Sequence, residues 1–209
     1  MKKISLILFL LFYVTISGMA LTYTSQYPTQ DTDHVKATTT YSSSYYPHFT
    51  TDPTTSLTGS MSTNQWLSTN GDNTDQRFHI DLGSAVIIRR IYYDNGHNFT
   101  AMTIGVQDFT FWGSNTASGT FDDLVYANDD GWTELTCSQN SFDQHAAEDS
   151  ADPRYITVTN TTAYQYYAFK CEDNYGAKYM GWRRLELQTE DGYGEAEAAT
   201  SVLFTMGDF

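Results

Sequence analysis

Three short stretches of the chain set aromatic rings beside polar groups: Tyr45-Tyr46-Pro47-His48, Asn95-Gly96-His97-Asn98-Phe99 and Asn174-Tyr175-Gly176-Ala177-Lys178-Tyr179. That mixture suits a sugar, whose apolar C–H face lies on a ring while its hydroxyl rim needs donors and acceptors. Tyr45, Tyr46, His48, Asn95, His97, Phe99, Asn174, Tyr175 and Lys178 are therefore the candidate ligand contacts. Local loop packing is an equally good reading of each aromatic among them. Catalytic constellations are missing: there is no Gly-x-Ser-x-Gly elbow, no phosphate-cradling glycine loop and no His-Glu-x-x-His. The five histidines are scattered, and none stands at metal-ligand spacing from a cysteine or another histidine. Acidic residues are abundant, but no two single themselves out as an acid/base pair. The expectation is a binding protein and not an enzyme.

Composition narrows the partner. Twenty-five acidic residues against eleven basic give a net charge of −14. Such a surface repels phosphate backbones and anionic lipid head groups, which argues against nucleic acid and against an anionic membrane. Acidity that merely keeps a protein soluble is an alternative reading. At the start of the chain, Lys2 and Lys3 precede an apolar run over 4–16 and then the small residues of Gly18-Met19-Ala20. This reads as a cleaved secretory signal over 1–20, placing the mature protein outside the cell or on its surface. A retained anchor is the alternative, though the run is short for a bilayer that needs about 20 apolar residues.

Recurring runs of Tyr, Phe, Thr, Val and Ile between Gly, Asn and Asp clusters predict many short strands. Eight are expected, over 35–42, 76–82, 85–93, 106–112, 132–137, 154–159, 164–171 and 182–188. In the second, Phe78, Ile80 and Leu82 alternate with Arg77, His79 and Asp81. The fold class expected is all-β, a jelly-roll β-sandwich of about eight antiparallel strands. If neighbouring strands alternate in direction, the connections 43–75, 94–105, 138–153 and 172–181 gather at one end, where binding residues usually sit. An extended arm is expected over 21–34, the domain over 35–189 and a tail over 190–209. Arm and tail motivate a second reading, a structural or adhesive subunit that self-associates by docking these segments on neighbouring copies. Trp66, Trp112, Trp132 and Trp182 are expected in the core, and only one of Arg183 and Arg184 can face solvent from a given sheet surface.

Cys137 and Cys171 are the only cysteines, and behind a signal peptide an even count favours a disulfide over two buried thiols. Asn98-Phe99-Thr100 and Asn160-Thr161-Thr162 fit the N-glycosylation pattern, with Asn160 on its short turn the safer acceptor.

Several of these segments, taken in order, resemble discoidin, or coagulation-factor type C, domains of the galactose-binding-like superfamily. The residues that carry the resemblance are Trp66-Leu67-Ser68, Phe78-His79-Ile80-Asp81-Leu82-Gly83 and Ile87-Ile88-Arg89-Arg90-Ile91. They are followed by Phe109-Thr110-Phe111-Trp112-Gly113-Ser114, Gly131-Trp132-Thr133-Glu134-Leu135 and Gly181-Trp182-Arg183-Arg184-Leu185-Glu186-Leu187. The resemblance implies a sandwich whose loops at one end bind glycans, or sometimes phospholipid or protein. It also implies a structural calcium ion, with Glu186 matching the glutamate of the closing strand. The loop before the tryptophan reads Leu57-Thr58-Gly59-Ser60, where the family places an Asp-Gly-Asp or Asp-Gly-Asn. Family disulfides usually tie the domain termini together, which Cys137 and Cys171 do not do.

Overall fold

A computed structural model of the protein describes residues 21–98, 101–116, 119–146 and 149–192. The expected signal segment 1–20 and most of the tail lie outside the described residues. Among the described residues, no helix is long and apolar enough to cross a membrane.

Among the described residues nine strands form the domain: β1 (Tyr23–Gln26), β2 (Val35–Ala37), β3 (Gln76–Val86), β4 (Arg90–Asn95) and β5 (Phe109–Ser114), then β6 (Thr133–Cys137), β7 (Arg154–Thr159), β8 (Tyr164–Cys171) and β9 (Trp182–Glu190). All pairings are antiparallel, in the order β1-β9-β4-β7-β6-β5-β8-β3-β2. The order breaks into two layers, β1-β9-β4-β7 and β6-β5-β8-β3-β2. A short pairing of Thr136 with Thr159 and Cys137 with Val158 joins them. The expected all-β sandwich is the observed one.

Phe78 and Ile80 of β3, Phe109 and Phe111 of β5, Tyr167 and Phe169 of β8, and Leu185 and Leu187 of β9 fill the space between the layers. They are the alternate residues of their strands, as the pleat requires. Trp66 and Trp182 join them, both fully buried. Trp112 does not: it stands on the outer face of β5, where its Nε1–H donates to Thr110 (2.7 Å) and Lys170 lies over its ring. The other face of β3 is not wet either. Arg77 and His79 are fully buried, covered by the link between β5 and β6 through Phe121, Asn128, Asp129 and Trp132.

Three expectations change. Residues 23–26 of the supposed arm are an edge strand, Tyr23 to Gln26 pairing with Glu190 to Leu187. This part of the arm belongs to the sandwich. Residues 38–42 do not extend β2, since the chain turns into a 3-10 segment (Ser43–Tyr45) and the short helix α1 (His48–Thr51).

Finally, Cys137 and Cys171 are free thiols. Cys171 pairs with Phe109 of β5, and Cys137 lies on β6 across the other edge of β5. Two strand spacings, roughly 9–10 Å, exceed the ~7 Å that a disulfide spans between Cα atoms. Burial pushes the Cys137 thiol up to about 12 and raises that of Cys171 well above its ordinary value, so neither is a ready nucleophile.

Candidate functional site

The four long connections meet at one end of the sandwich. Backbone bonds stitch them together: Ser68 N–H to Met180 O (2.9 Å), Gly71 N–H to Lys178 O (2.8 Å), Gln107 N–H to Asp173 O (2.9 Å) and Gly181 N–H to Ile104 O (3.1 Å). Gly181 permits the tightest approach. A Cβ there would lie 1.9 Å from the Trp66 carbonyl oxygen, and one on Gly96 would lie 2.3 Å from that of Gly181. The side chain of Gln144 reaches Met102 O (3.2 Å), bringing in the 138–153 connection.

Arg183 fastens the first loop to this frame. Between Asp94 and Asn95 the β4–β9 register slips by one residue, Asp94 facing Arg184 and Asn95 facing Trp182. The extra residue at the bulge resets the alternation, so Arg183 and Arg184 both reach the same loop. Arg183 donates to the carbonyls of Ser60 (3.0 Å), Gly59 (2.6 Å) and Ser56 (3.4 Å), and Arg184 to that of Thr55 (2.7 Å). Neither guanidinium is in solvent, contrary to the simple alternation read from sequence.

The expected sugar contacts do not form one site. Tyr45 lies on the rim: its ring meets Tyr41 edge to face at 5.6 Å, and Tyr41 meets Tyr179 in the same way at 5.4 Å. Lys178, exposed, is next to Tyr179. Tyr46 and His48 form another cluster, stacked at 5.6 Å, with Tyr46 lining a cavity of about 180 Å³ beside Val35 and Lys36. Tyr175 leans across the 138–153 connection, its hydroxyl donating to the Phe142 carbonyl.

Asn95, His97 and Asn174 turn inward, which corrects their reading as direct contacts. Asn95 donates to the carbonyls of Val106 (2.8 Å) and Asp143 (2.9 Å), and Asn174 closes its own turn onto the carbonyls of Ala177 (3.1 Å) and Tyr179. His97 is fully buried against His145, the ring centroids 3.7 Å apart. Burial pulls the His97 imidazole down to about 4 and pushes the neighbouring Asp94 carboxyl up to about 6. Phe99 lies outside the described residues. Sequence reasoning missed Tyr41, which sits at the end of a stretch read as strand, and did not nominate Tyr179.

A larger cavity, about 450 Å³, opens where β6 leaves β5 to join β7, lined by Thr110, Glu134, Thr136 and Asn140 above Phe109 and Phe111. Those two phenylalanines are only 3% and 1% exposed, so the cleft has polar walls but offers no ring face. At the loop end, an exposed aromatic surface lies on the rim, where Tyr41 is 48% exposed.

No protein-family model and no curated sequence relative matches the chain. Solved structures do. A family 32 carbohydrate-binding module of Clostridium perfringens NanJ, in complex with galactose, superposes with a TM-score of 0.54 at 12% identity, over 80% of this chain and 100% of the other. A chain of the β-galactosidase BgaA of Streptococcus pneumoniae gives 0.58 at 10% identity, over 78% and 97%. Chitosan-binding module 2 of the chitosanase/glucanase from Paenibacillus sp. IK-5, in complex with chitotriose, gives 0.50 at 16%, over 73% and 93%. The chain has the galactose-binding-like β-sandwich fold.

Within this β-sandwich the residues do not fit the calcium ion that the resemblance implies. Both oxygens of Glu186 are engaged, Oε1 by Arg184 (3.1 Å) and Oε2 by the Ser25 hydroxyl (2.6 Å). The loop carbonyls that a hard cation would need accept from Arg183 instead, and the Leu57-Thr58-Gly59-Ser60 stretch contributes no carboxylate. A fixed guanidinium does the fastening. Calcium added to chelator-treated protein is therefore expected to leave the melting temperature unchanged. An ion at 100 times its Kd would add about 2.7 kcal/mol, so a clear upward shift would overturn this assignment.

Asn160 does not offer itself for glycosylation either. It is 5% exposed, and its Nδ2 donates to Thr162 O (2.9 Å) inside the turn. Asn98 is half-buried, with Oδ1 accepting from Ala101 N–H (2.8 Å).

Proposed function

We propose that this chain is a secreted, non-catalytic carbohydrate-binding module that recognises extracellular or cell-surface glycans through the rim of its loop end. The observation that carries this reading is the tyrosine group Tyr41, Tyr45 and Tyr179, assembled from two connections on the rim. Edge-to-face packing holds these rings in place, and rigid aromatics lose little entropy when a sugar face settles on them. Lys178 and the nearby backbone supply polar partners for hydroxyls. The neighbours that bind galactose and chitotriose lend support by fold, although at 10–16% identity they carry no residue across. A net charge of −14 favours neutral glycans over sulfated or sialylated ones. One shallow site of this kind binds on the order of mM, about −4 kcal/mol, and multivalent display supplies the remaining strength.

A glycan array followed by calorimetry on the best neutral ligand tests the reading. Tyr45→Ala and Tyr179→Ala are each expected to weaken binding by roughly tenfold, the worth of one stacked ring. An unresponsive array, or affinity retained in both variants, would remove the rim from consideration.

A further inference from the structure

Beneath the rim, three groups that the glycan reading leaves unused come together. Asp94 is the penultimate residue of β4, His97 follows it in the next connection, and His145 arrives from the 138–153 connection. One potential ligand atom from each lies within 4.8 Å of the other two. The Nε2 atoms of His97 and His145 are 3.6 and 3.7 Å from Asp94 Oδ1, and the three side chains are sealed from solvent.

Their hydrogen bonding is incomplete in one particular way. Asp94 Oδ2 accepts from Asp152 N–H (2.8 Å), while His97 Nε2 faces the Leu57 carbonyl (3.1 Å) and His145 Nε2 that of Ser150 (2.8 Å). A carbonyl only accepts, so each Nε2 carries the proton and each Nδ1 is left with a lone pair. Those two Nδ1 atoms and Asp94 Oδ1 have no hydrogen-bond partner among the described residues. Buried polar atoms are seldom left this way, and here three unpaired acceptors belong to one cluster.

A cation would satisfy them together. Arg183, the nearby fixed charge, directs its two terminal nitrogens to the first loop and shares no hydrogen bond with Asp94. We infer that Asp94, His97 and His145 form a buried binding site for a borderline divalent transition-metal ion of the zinc class. Two imidazole nitrogens and one carboxylate oxygen are a donor set for such an ion and not for calcium or magnesium, which take oxygen. Bonds of about 2.0–2.1 Å around a tetrahedral ion put ligand atoms roughly 3.3 Å apart, so ligand atoms that lie within 4.8 Å of one another must draw together on binding. The bonds to Leu57 and Ser150 orient the rings, as outer partners of metal-binding histidines commonly do. Such an ion would tie the 138–153 connection to β4 beneath the loop end. This inference stands on the buried cluster and is independent of the glycan reading.

The test uses the full chain, stripped with a chelator and dialysed. Cobalt(II) titration is expected to give one equivalent with the intense visible absorption of a tetrahedral N/O site, displaced by zinc. Zinc is expected to raise the melting temperature, whereas calcium and magnesium leave it unchanged. Asp94→Asn, His97→Gln and His145→Gln, each checked for folding by near-ultraviolet circular dichroism, are expected to lose cobalt uptake at least tenfold. His34→Asn, away from the cluster, is expected to keep it. Folded wild-type protein that takes up neither cobalt nor zinc overturns the assignment, even where all three variants fail to fold. So does uptake undiminished in a folded variant, or a spectrum of six-coordinate cobalt.

Discussion

Trp182→Ala should lower the unfolding free energy by about 3–5 kcal/mol, the usual cost of deleting a large core aromatic. The position is central for identifiable reasons. As the first residue of β9, Trp182 belongs to one layer, and its ring meets Phe78 (5.1 Å) and Phe169 (5.5 Å) of the other. The same ring touches Trp66 (5.5 Å) and Phe142 (5.4 Å), which arrive from the loop end. Truncation therefore opens a cavity that neither sheet can collapse into alone. For a domain of this size the loss corresponds to a fall in melting temperature of roughly 6–20 °C. Trp182→Phe is expected to cost much less, roughly 1 kcal/mol, because the indole N–H has no partner to lose. Val125→Ala, at a side chain 62% exposed, should stay within about 0.5 kcal/mol. Chemical denaturation with unchanged m-values checks all three. A Trp182→Ala cost below that of Trp182→Phe would displace Trp182 from the centre of the core.

Much of the frame was legible because strand periodicity is a local property. The alternation of Phe78 and Ile80 marks β3, and β7 and β8 coincide with the expected 154–159 and 164–171. The gathering of four connections at one end followed from antiparallel succession alone. What failed depended on what lies over a strand. Arg77 and His79 read only as the polar side of an alternating strand, and nothing near them in sequence announces that Phe121 and Trp132 will cover it. Trp112 read as core because an indole at a strand position usually is, yet the alternation that buries Phe111 must turn Trp112 outward. The bulge at Arg183 is one residue long and leaves no periodic trace, so the paired arginines read as opposed.

Candidate site residues were harder still. Asn95 and His97 have the composition of a sugar site, but their neighbourhood is set by chain segments remote in sequence. The histidines looked scattered for the same reason: His97 and His145 stack only because two connections converge. A pattern read along one chain does not register a cluster built across several.

Arg183→Met is the variant in which these long-range dependencies should be felt most at the loop end. Methionine keeps most of the buried stem volume but brings no donor, so the carbonyls of Ser56, Gly59 and Ser60 lose their partner at once. Asp94 loses the nearby positive charge that favours its ionised form. Removing one side of such a buried arrangement typically costs 3–5 kcal/mol, and a similar loss is expected here. Arg183→Lys separates charge from geometry: an ammonium is a point charge, whereas the planar fork reaches several acceptors at once. Lysine should restore part of the stability while leaving the loop loose. Hydrogen exchange at Gly59, whose N–H is held by Asp149, reports that loosening directly. The expected order of protection is wild type, then lysine, then methionine. Equal protection in all three would mean that the loop is held by its own turns, and that the guanidinium contributes no more than packing.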